Sequence, residues 1–452
     1  MIIMAYSAFN AASIEDALGA PEYSYWFVRR AFWPILERSG IVVPVTDPAR
    51  EVDTICASAN ARGQQCVFLS FEPPHKTMLG LACRTIPVFA WEFDTLPDEV
   101  WDEEPRNDWR SVLAATGSAI THSRFSADVI RRSMGADYPV WSIPAPVYDA
   151  NAPFAAEARP YQPVTDLSFS AMVIDSSQVD LDLFSVHRAY ADGIEALRAL
   201  AKFLREARPS TALRVAGVVY TVVFNPIDGR KNFNDILGGF LWAFRDREDA
   251  MLILKITYFD AVRGLLPVLS DLAKFGRYRC RVVLIHGMLP DAEYRALMRV
   301  TSYAVNASTN EGQCLPLMEF MSAGRPAVAP AHTALLDYIS PANSFVVRST
   351  ERLAPWPHDS RQAERSTRHT VSVADMIRAY RESYQVARDD PARYAAMSRA
   401  ATESLKAFCS NALVEQRLAE MLEGQVVPGP APAGLPAEHH ASTPLAAALV
   451  EE

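Results

Sequence analysis

The chain has 452 residues, of which 50% are hydrophobic and 21% charged, and its net charge is −9 at neutral pH. This length exceeds what one compact core supports and predicts two domains. The acidic balance argues against nucleic acid as a partner, because the phosphate backbone needs a basic face. The sequence shows no apolar run long enough to span a bilayer, no basic signal region at the N-terminus and no paired metal-ligand spacing among its six cysteines. We therefore expect a globular cytoplasmic protein without a metal site.

The first third of the chain alternates short β-branched or aromatic runs with amphipathic segments. The runs are IIMAYSAF, GIVVPV, CVFLSF, TIPVFAW, SAITHS and YPVWSIP. This alternation is typical of parallel strands joined by crossover helices. It predicts a doubly wound parallel-sheet domain over residues 1–147. The aromatic stretch PEYSYWFVRRAFWPIL is interpreted as core packing, with an interfacial membrane helix as the alternative.

A proline-rich segment, PAPVYDANAPFAAEARPYQPVT, interrupts this pattern and predicts a linker over residues 148–165. A second series of apolar runs follows: LRVAGVVYTVVF, AMLILKI, CRVVLIHG, SYAVNAS, PAVAPA and SFVVRS. They predict a second doubly wound domain over residues 166–405, with a cleft between the two domains.

Three further segments are predicted outside the regular α/β pattern. An amphipathic stretch near 184–206 predicts an inserted packing helix. Residues 406–424 predict a C-terminal helix that packs back on the first domain. Residues 425–452 are rich in proline and alanine and are predicted to be disordered.

The segment STNEGQCLPLMEFMSAGRP, residues 308–326, places two acids around a helix start. Pro316 suits the first helical position and Gly324 the C-terminal stop. Glu311 then lies in the loop before the helix and Glu319 one turn inside it. The N–H groups of the first turn form an anion site and leave both acids able to address hydroxyls. The alternative is that both are solvated acids favoured by the helix dipole.

The extended segment STNEGQCLPLMEFMSAGRPAVAP resembles the motif of family 4 glycosyltransferases, which are retaining enzymes of the GT-B fold with two Rossmann-like domains. VVFNPIDGRKNFNDILGGF resembles the strand and loop that hold the donor diphosphate in these enzymes, and IHGMLPDAEYRALM the segment that faces the nucleotide base. AITHSRFSADVIRRSMG is similar to their N-domain strand and helix before the interdomain crossing. The ordered motifs cover roughly residues 85–350.

The resemblance implies a retaining, metal-independent transfer of a sugar from a nucleoside-diphosphate sugar to a glycan or lipid-linked acceptor. The family suggests bacterial surface polysaccharide synthesis, in the cytoplasm or at the inner face of the cytoplasmic membrane, with no cofactor besides the donor substrate. Two alternatives stay open: a GT-B phosphorylase or epimerase, and a non-catalytic GT-B partner that binds sugar nucleotide.

The resemblance also implies roles for individual residues. Arg230 and Lys231 would stabilise the departing diphosphate. Glu311 would bond the hydroxyls of the donor sugar and Glu319 those of the ribose. Glu92 is a candidate for positioning the acceptor or acting as its base, against the alternative of an ordinary acid at the cleft rim. The remaining donor-binding candidates are Gly312, Gln313, Cys314, Leu315, Gly287, Met288, Asn225 and His122.

The sequence departs from the family pattern at three places. Cys314 stands where a second glycine is usual, and we interpret its thiol as buried filler rather than a nucleophile. Pro226 stands where many members have an arginine, so Arg230 is a candidate substitute. Many members have a histidine at the end of the fourth strand, and the matching place in this sequence falls near Trp91 and Glu92. His75 follows another strand and is a further candidate for lining the cleft.

Overall fold

The computed structural model describes residues 1–184, 198, 202 and 210–423 and shows two α/β domains. The inserted helix predicted near 184–206 lies almost entirely outside the described residues, and so does the tail at 425–452. Among the helices that the structure describes, none combines the length and the hydrophobicity that crossing a bilayer requires.

The N-terminal domain is built on a six-stranded parallel sheet with the order β2-β1-β3-β4-β5-β6. Its strands are β1 Ile2–Tyr6, β2 Ile41–Pro44, β3 Cys66–Ser70, β4 Thr85–Phe89, β5 Ala119–Thr121 and β6 Val140–Ser142. Its helices are α1 Ser24–Ser39, α2 Pro48–Asn60, α3 Trp109–Thr116 and α4 Arg124–Met134. Every strand falls within one of the predicted apolar runs, because burial on both faces gives a parallel strand a continuous hydrophobic sequence.

Helix α1 contains the aromatic stretch that the sequence left open between core packing and a membrane surface. Tyr25, Trp26, Phe32 and Leu36 are all buried. Ser24–Ser39 therefore packs its aromatic face inside the domain.

The crossing between the domains is shorter than the predicted linker. After α5, Tyr148–Asn151, and a 3₁₀ turn, Ala152–Glu157, strand β7 already begins at Gln162. The last part of the predicted linker segment 148–165 is therefore the start of a strand of the second sheet.

The C-terminal domain has a seven-stranded sheet. Its strands are β7 Gln162–Asp175, β8 Ser210–Phe224, β9 Ala250–Ile256, β10 Arg281–His286, β11 Tyr303–Val305, β12 Ala327–Pro330 and β13 Ser344–Val347. Strands β8 to β13 pair in parallel in the order β10-β9-β8-β11-β12-β13. Strand β7 is antiparallel to β8 and β10, so this sheet is mixed rather than wholly parallel.

Helices cover the C-terminal sheet, and a hairpin extends from it. The helices are α6 Phe233–Phe244, α7 Ala261–Ala273, α8 Asp291–Arg299, α9 Leu315–Ser322 and α10 Val373–Asp389. The hairpin consists of the antiparallel strands β14 Ser349–Pro355 and β15 Glu364–Val371. It reaches the N-terminal domain, where the Trp356 indole N–H donates to Thr95 Oγ1 at 3.0 Å and the Thr367 N–H donates to Asp94 Oδ1 at 2.8 Å.

The chain returns to the N-terminal domain through two last helices, α11 Pro391–Cys409 and α12 Asn411–Glu423. Arg38 of α1 pairs with Glu415 of α12 at 3.1 Å. Leu418 is fully buried in the same hydrophobic core as the strands of the first domain. The C-terminal helix is therefore part of the N-terminal domain's packing.

Leu418→Ala should lower the free energy of unfolding by about 2–5 kcal/mol, because it leaves a cavity in a packed core. Gln416→Ala, at an exposed position of the same helix, is the matched control and should change stability by less than about 0.5 kcal/mol. Denaturant unfolding of both variants measures the difference. Equal stability of the two would show that α12 does not contribute to the core.

Candidate functional site

A cavity of about 940 Å³ lies between the two domains at the carboxyl ends of their strands. On the C-terminal side it is lined by the loops that follow β8 and β11. Strand β8 pairs with β9 on one side and β11 on the other, so strand order reverses between these two loops. Such a switch point opens a crevice between adjacent loops, and ligands of open α/β sheets bind there.

The Lys231–Glu311 ion pair joins these two loops. The Lys231 ammonium lies 2.7 Å from Glu311 Oε1, and the side chains are 22% and 6% exposed. Asn306 also donates to Glu311 Oε1, at 3.1 Å. Burial alone would raise the pKa of Glu311, but the Lys231 charge and the hydrogen bonds from Ser308 and Asn306 outweigh it and hold the pKa at about 2. Glu311 is therefore a buried, ionised carboxylate and not a solvated first-turn acid.

Arg230 makes a second charged contact, and this one crosses the cleft. Its guanidinium forms a bidentate pair with Asp228, at 3.1 and 2.9 Å, and a further ion pair with Glu92 of the N-terminal domain. Asp228 also accepts the Arg230 backbone N–H at 3.1 Å and so caps the 3₁₀ turn Gly229–Lys231. The turn fixes the positions of both cations. Glu92 is thereby placed opposite the loop after β8.

Glu319 lies one turn into α9, half-buried at the cavity wall. The Tyr294 hydroxyl of α8 donates to Glu319 Oε2 at 2.8 Å. Burial raises the pKa of Glu319 to about 7, and the Tyr294 hydrogen bond partly opposes that rise. Glu311 and Glu319, eight positions apart in sequence, therefore differ strongly in proton affinity.

The start of α9 approaches the other domain closely. A Cβ on Gly312 would lie 2.7 Å from Ala90 Cβ at the end of β4, so only glycine fits there without displacement. Cys314, the N-terminal capping residue of α9, has the left-handed backbone angles φ 62° and ψ 72°. Glycine adopts this conformation most easily, which explains why the family pattern favours it at this position. The Cys314 thiol accepts from Asn306 Nδ2 at 3.2 Å, and burial raises its pKa, which disfavours a nucleophilic thiolate.

The far side of the cavity lies at the ends of β9 and β10. Lys255 is buried and donates to the carbonyl of Gly287 at 2.6 Å, and burial lowers its pKa to about 7. Met288 lines the cavity. Asn225 also lines it, but its amide is occupied in donating to the Gly19 carbonyl at 3.0 Å and in accepting from the Ile227 N–H at 3.0 Å.

The cavity brings together most of the candidate residues from the sequence. Those that line it are Glu92, Asn225, Arg230, Lys231, Met288, Glu311, Gly312, Gln313, Cys314, Leu315 and Glu319. His122 and Gly287 do not line it. His122 is buried inside the N-terminal domain with its Nδ1 2.9 Å from the Ile143 carbonyl oxygen, and Gly287 contributes its carbonyl to Lys255.

Sequence reasoning did not identify Asp228, Tyr294 or Lys255 as site residues. Asp228 directly precedes the Gly-Arg-Lys sequence, and an Asx cap there could have been inferred. Tyr294 lies within the quoted segment IHGMLPDAEYRALM but carries no local signal of its contact with Glu319. Within the described residues, no three His, Cys, Asp or Glu side chains come together in an arrangement that could hold a metal ion.

If Glu319 holds the ribose, as the resemblance to family 4 implies, the affinity for a nucleoside-diphosphate sugar should rise with pH through a midpoint near 7, because an ionised carboxylate accepts hydrogen bonds from ribose hydroxyls. Tyr294→Phe should move this midpoint upward, since its hydroxyl stabilises the ionised form. Glu319→Gln should flatten the profile. Calorimetric titration between about pH 6 and 8 measures all three proteins. A wild-type profile with the same slope as Glu319→Gln would contradict the role of Glu319.

Comparison with known proteins identifies the fold. No family model and no curated protein matches the chain. The structure is similar to a glycosyltransferase from Rickettsia africae, with a TM-score of 0.51 and 9% identity over 93% of this chain and 97% of that one. It is also similar to sucrose-phosphate synthase from Thermosynechococcus elongatus, with a TM-score of 0.50 and 13% identity over 93% and 98% of the two chains.

A longer structure, TarM from S. aureus in complex with Fondaparinux, alpha-GlcNAc-glycerol and UDP, is matched over 79% of this chain and 55% of its own length, with 9% identity and a TM-score of 0.49. The predicted fold is confirmed by the two full-length matches together with the sheet topology. The chain has the GT-B fold, with two Rossmann-like domains facing a cleft.

Proposed function

We propose that the protein transfers a sugar from a nucleoside-diphosphate sugar to a saccharide-bearing acceptor, with retention of configuration at the anomeric carbon and without a metal ion. The Lys231–Glu311 pair carries the proposal. It places a cation and an ionised carboxylate side by side, at the strand-order reversal and next to the start of α9. In a nucleoside-diphosphate sugar, the diphosphate calls for the cation and the sugar hydroxyls for the carboxylate.

The positive charge at this place suits a diphosphate leaving group. The oxygen that departs from the anomeric carbon gains negative charge as the glycosidic bond breaks, so fixed positive charge beside it favours the transition state. Lys231 has three N–H donors and Glu311 accepts from one of them. Arg230 and the N–H groups of the first turn of α9 lie around the same cavity.

The two acids suit two kinds of hydroxyl. Glu311 is held ionised by Lys231 and is rigidly hydrogen-bonded, so it can orient the hydroxyls of a donor sugar while charge develops at the anomeric carbon. Glu319 lies further into α9, held by Tyr294, and can accept from the ribose diol. Both assignments follow the resemblance to family 4, and the geometry is compatible with them.

Glu92 is a charge partner of Arg230 across the cleft. When a diphosphate engages Arg230, Glu92 can be released toward the acceptor. Glu92 therefore remains our candidate for acceptor positioning.

The biological setting is also part of the proposal. Transfer to a glycan or lipid-linked acceptor in bacterial surface polysaccharide synthesis, in the cytoplasm or at the inner face of its membrane, agrees with the resemblance to family 4. It requires no partner beyond donor and acceptor, and no cofactor.

The test is turnover of a panel of nucleoside-diphosphate sugars in the presence of EDTA, followed as release of the nucleoside diphosphate. At least one donor should be consumed, and Glu311→Gln should lower kcat by roughly ten- to a hundredfold, because a charge-assisted hydrogen bond is worth about 1.5–3 kcal/mol. Glu293→Gln, which lies outside the cavity and accepts from Ser170, is the matched control.

Glu311→Gln also leaves the Lys231 charge without its partner, so the variants are compared well below their melting temperatures. Full turnover by Glu311→Gln, or turnover that EDTA abolishes and manganese restores, would contradict the proposed chemistry. An inverted anomeric configuration in the product would contradict retention.

A further inference from the structure

A cluster of three rings forms part of the cavity wall away from the diphosphate side. His75 lies in the 3₁₀ turn Pro74–Lys76 after β3, Trp109 begins α3, and His358 lies in the loop of the β14–β15 hairpin. All three line the cavity. We call these three residues the His–Trp cluster.

The rings of the His–Trp cluster are nearly parallel. The ring centroids of His75 and His358 are 4.8 Å apart at 8°, and those of His358 and Trp109 are 5.2 Å apart at 12°. His75 and Trp109 are 5.6 Å apart at 18°. Flat rings held in one orientation offer faces and edges of fixed direction to whatever occupies the cavity.

Each ring carries a buried polar atom that has no hydrogen-bond partner among the described residues. These atoms are Nδ1 of His75, Nε1 of Trp109 and Nε2 of His358. Trp109 is only 2% exposed. Leaving a buried polar atom unpaired costs about 1–3 kcal/mol, so three in one wall of a cavity call for a ligand that pairs with them.

The cluster is electrically neutral. Burial lowers the pKa of His75 to about 3 and that of His358 to about 4, so neither imidazole is charged near neutral pH. Two cations lie near His75: Lys76 is paired with Glu22 at 2.6 Å, and Arg106 donates to the Thr77 carbonyl. Neutral rings with unpaired donors and acceptors match the hydroxyl groups of a neutral ligand. The three rings themselves supply no charge to a phosphate, so glycerol 3-phosphate is included in the test as an anionic probe.

The cluster adjoins the reacting end of the cavity. The Trp91 and Trp109 ring centroids are 4.5 Å apart, and Glu92, the residue after Trp91, pairs with Arg230 across the cleft. A ring on the cluster would therefore lie beside the donor pocket. His358 comes from the C-terminal domain and His75 and Trp109 from the N-terminal domain, so the cluster is complete only when the two domains meet.

We propose that the His–Trp cluster of His75, Trp109 and His358 is the acceptor subsite and that it takes a neutral saccharide ring. This inference rests on the proposed transferase function. It places the accepting hydroxyl of a sugar next to Glu92 and the donor pocket. It identifies a sugar ring, rather than a phosphate or a lipid chain, as the part of the acceptor that the protein recognises.

The test uses two variants that keep an aromatic ring and remove its polar atoms, Trp109→Phe and His358→Phe. Tyr138→Phe, which removes a hydroxyl that donates to the Leu113 carbonyl one turn further along α3, is the matched control. Each protein is first saturated with the nucleoside-diphosphate sugar that it binds. Methyl hexopyranosides of gluco, galacto and manno configuration are then titrated and followed by tryptophan fluorescence and saturation-transfer NMR, with glycerol 3-phosphate as an anionic probe.

At least one methyl hexopyranoside should bind, and both cluster variants should weaken it by about tenfold or more, equivalent to about 1.4 kcal/mol. Donor affinity should stay within about twofold of wild type in both, and Tyr138→Phe should change neither. His358→Phe changes a partly buried loop residue, so it can test the subsite by itself if Trp109→Phe fails to fold.

Unchanged glycoside affinity in both folded variants would overturn the subsite. So would the absence of any glycoside binding to a protein that binds the donor, or cluster-dependent binding of glycerol 3-phosphate alone. Failure to bind every nucleoside-diphosphate sugar would instead refute the proposed function itself.

Discussion

The site depends on one buried ion pair, between Lys231 and Glu311. Taking two charges out of water is costly, and only close contact and further hydrogen bonds repay it. The pair meets both conditions, with a 2.7 Å contact and an additional donor from Asn306. Removing one partner of such a pair costs about 3–5 kcal/mol, because the other charge is left uncompensated. The loops after β8 and β11 are therefore held together by the same groups to which we assign ligand binding.

The loop that carries Glu311 also contacts the other domain. Asn310 donates to the Glu92 carbonyl at 2.9 Å, and Gly312 fits against Ala90 only because it lacks a side chain. Arg230 reaches Glu92 from the neighbouring loop. The residues that our proposal assigns to donor binding therefore also join the two domains.

The sequence predicted the parallel strands well and the antiparallel strands poorly. The runs that became β1 to β6 and β8 to β13 are hydrophobic because both faces of a parallel sheet are covered. Strand β7 begins in a proline-rich stretch, and the strands of the hairpin, STERLAP and ERSTRHTV, are polar and were not among the predicted apolar runs. An antiparallel strand or a surface hairpin needs no continuous apolar run, so local pattern alone does not reveal it.

The same contrast holds for the candidate site. Two continuous sequence motifs contain the main candidates: one carries Arg230 and Lys231, and the other carries Glu311 and Glu319. The resemblance to family 4 therefore brought these four residues together. The charge partners of these residues can be distant in sequence. Glu92, which pairs with Arg230, lies 138 positions before it. His358 reaches His75 only through the interdomain hairpin. Such contacts arise from tertiary packing, which one sequence without its structure does not specify.

The most direct test of the central claim is a crystal structure of the protein with a nucleoside-diphosphate sugar bound. The account predicts that the diphosphate lies within hydrogen-bond distance of Lys231 Nζ and of the first-turn N–H groups of α9, with the ribose at Glu319 and the sugar at Glu311. A nucleotide bound outside the interdomain cavity, or bound in it with the Lys231–Glu311 pair turned away from the phosphates, would contradict the account.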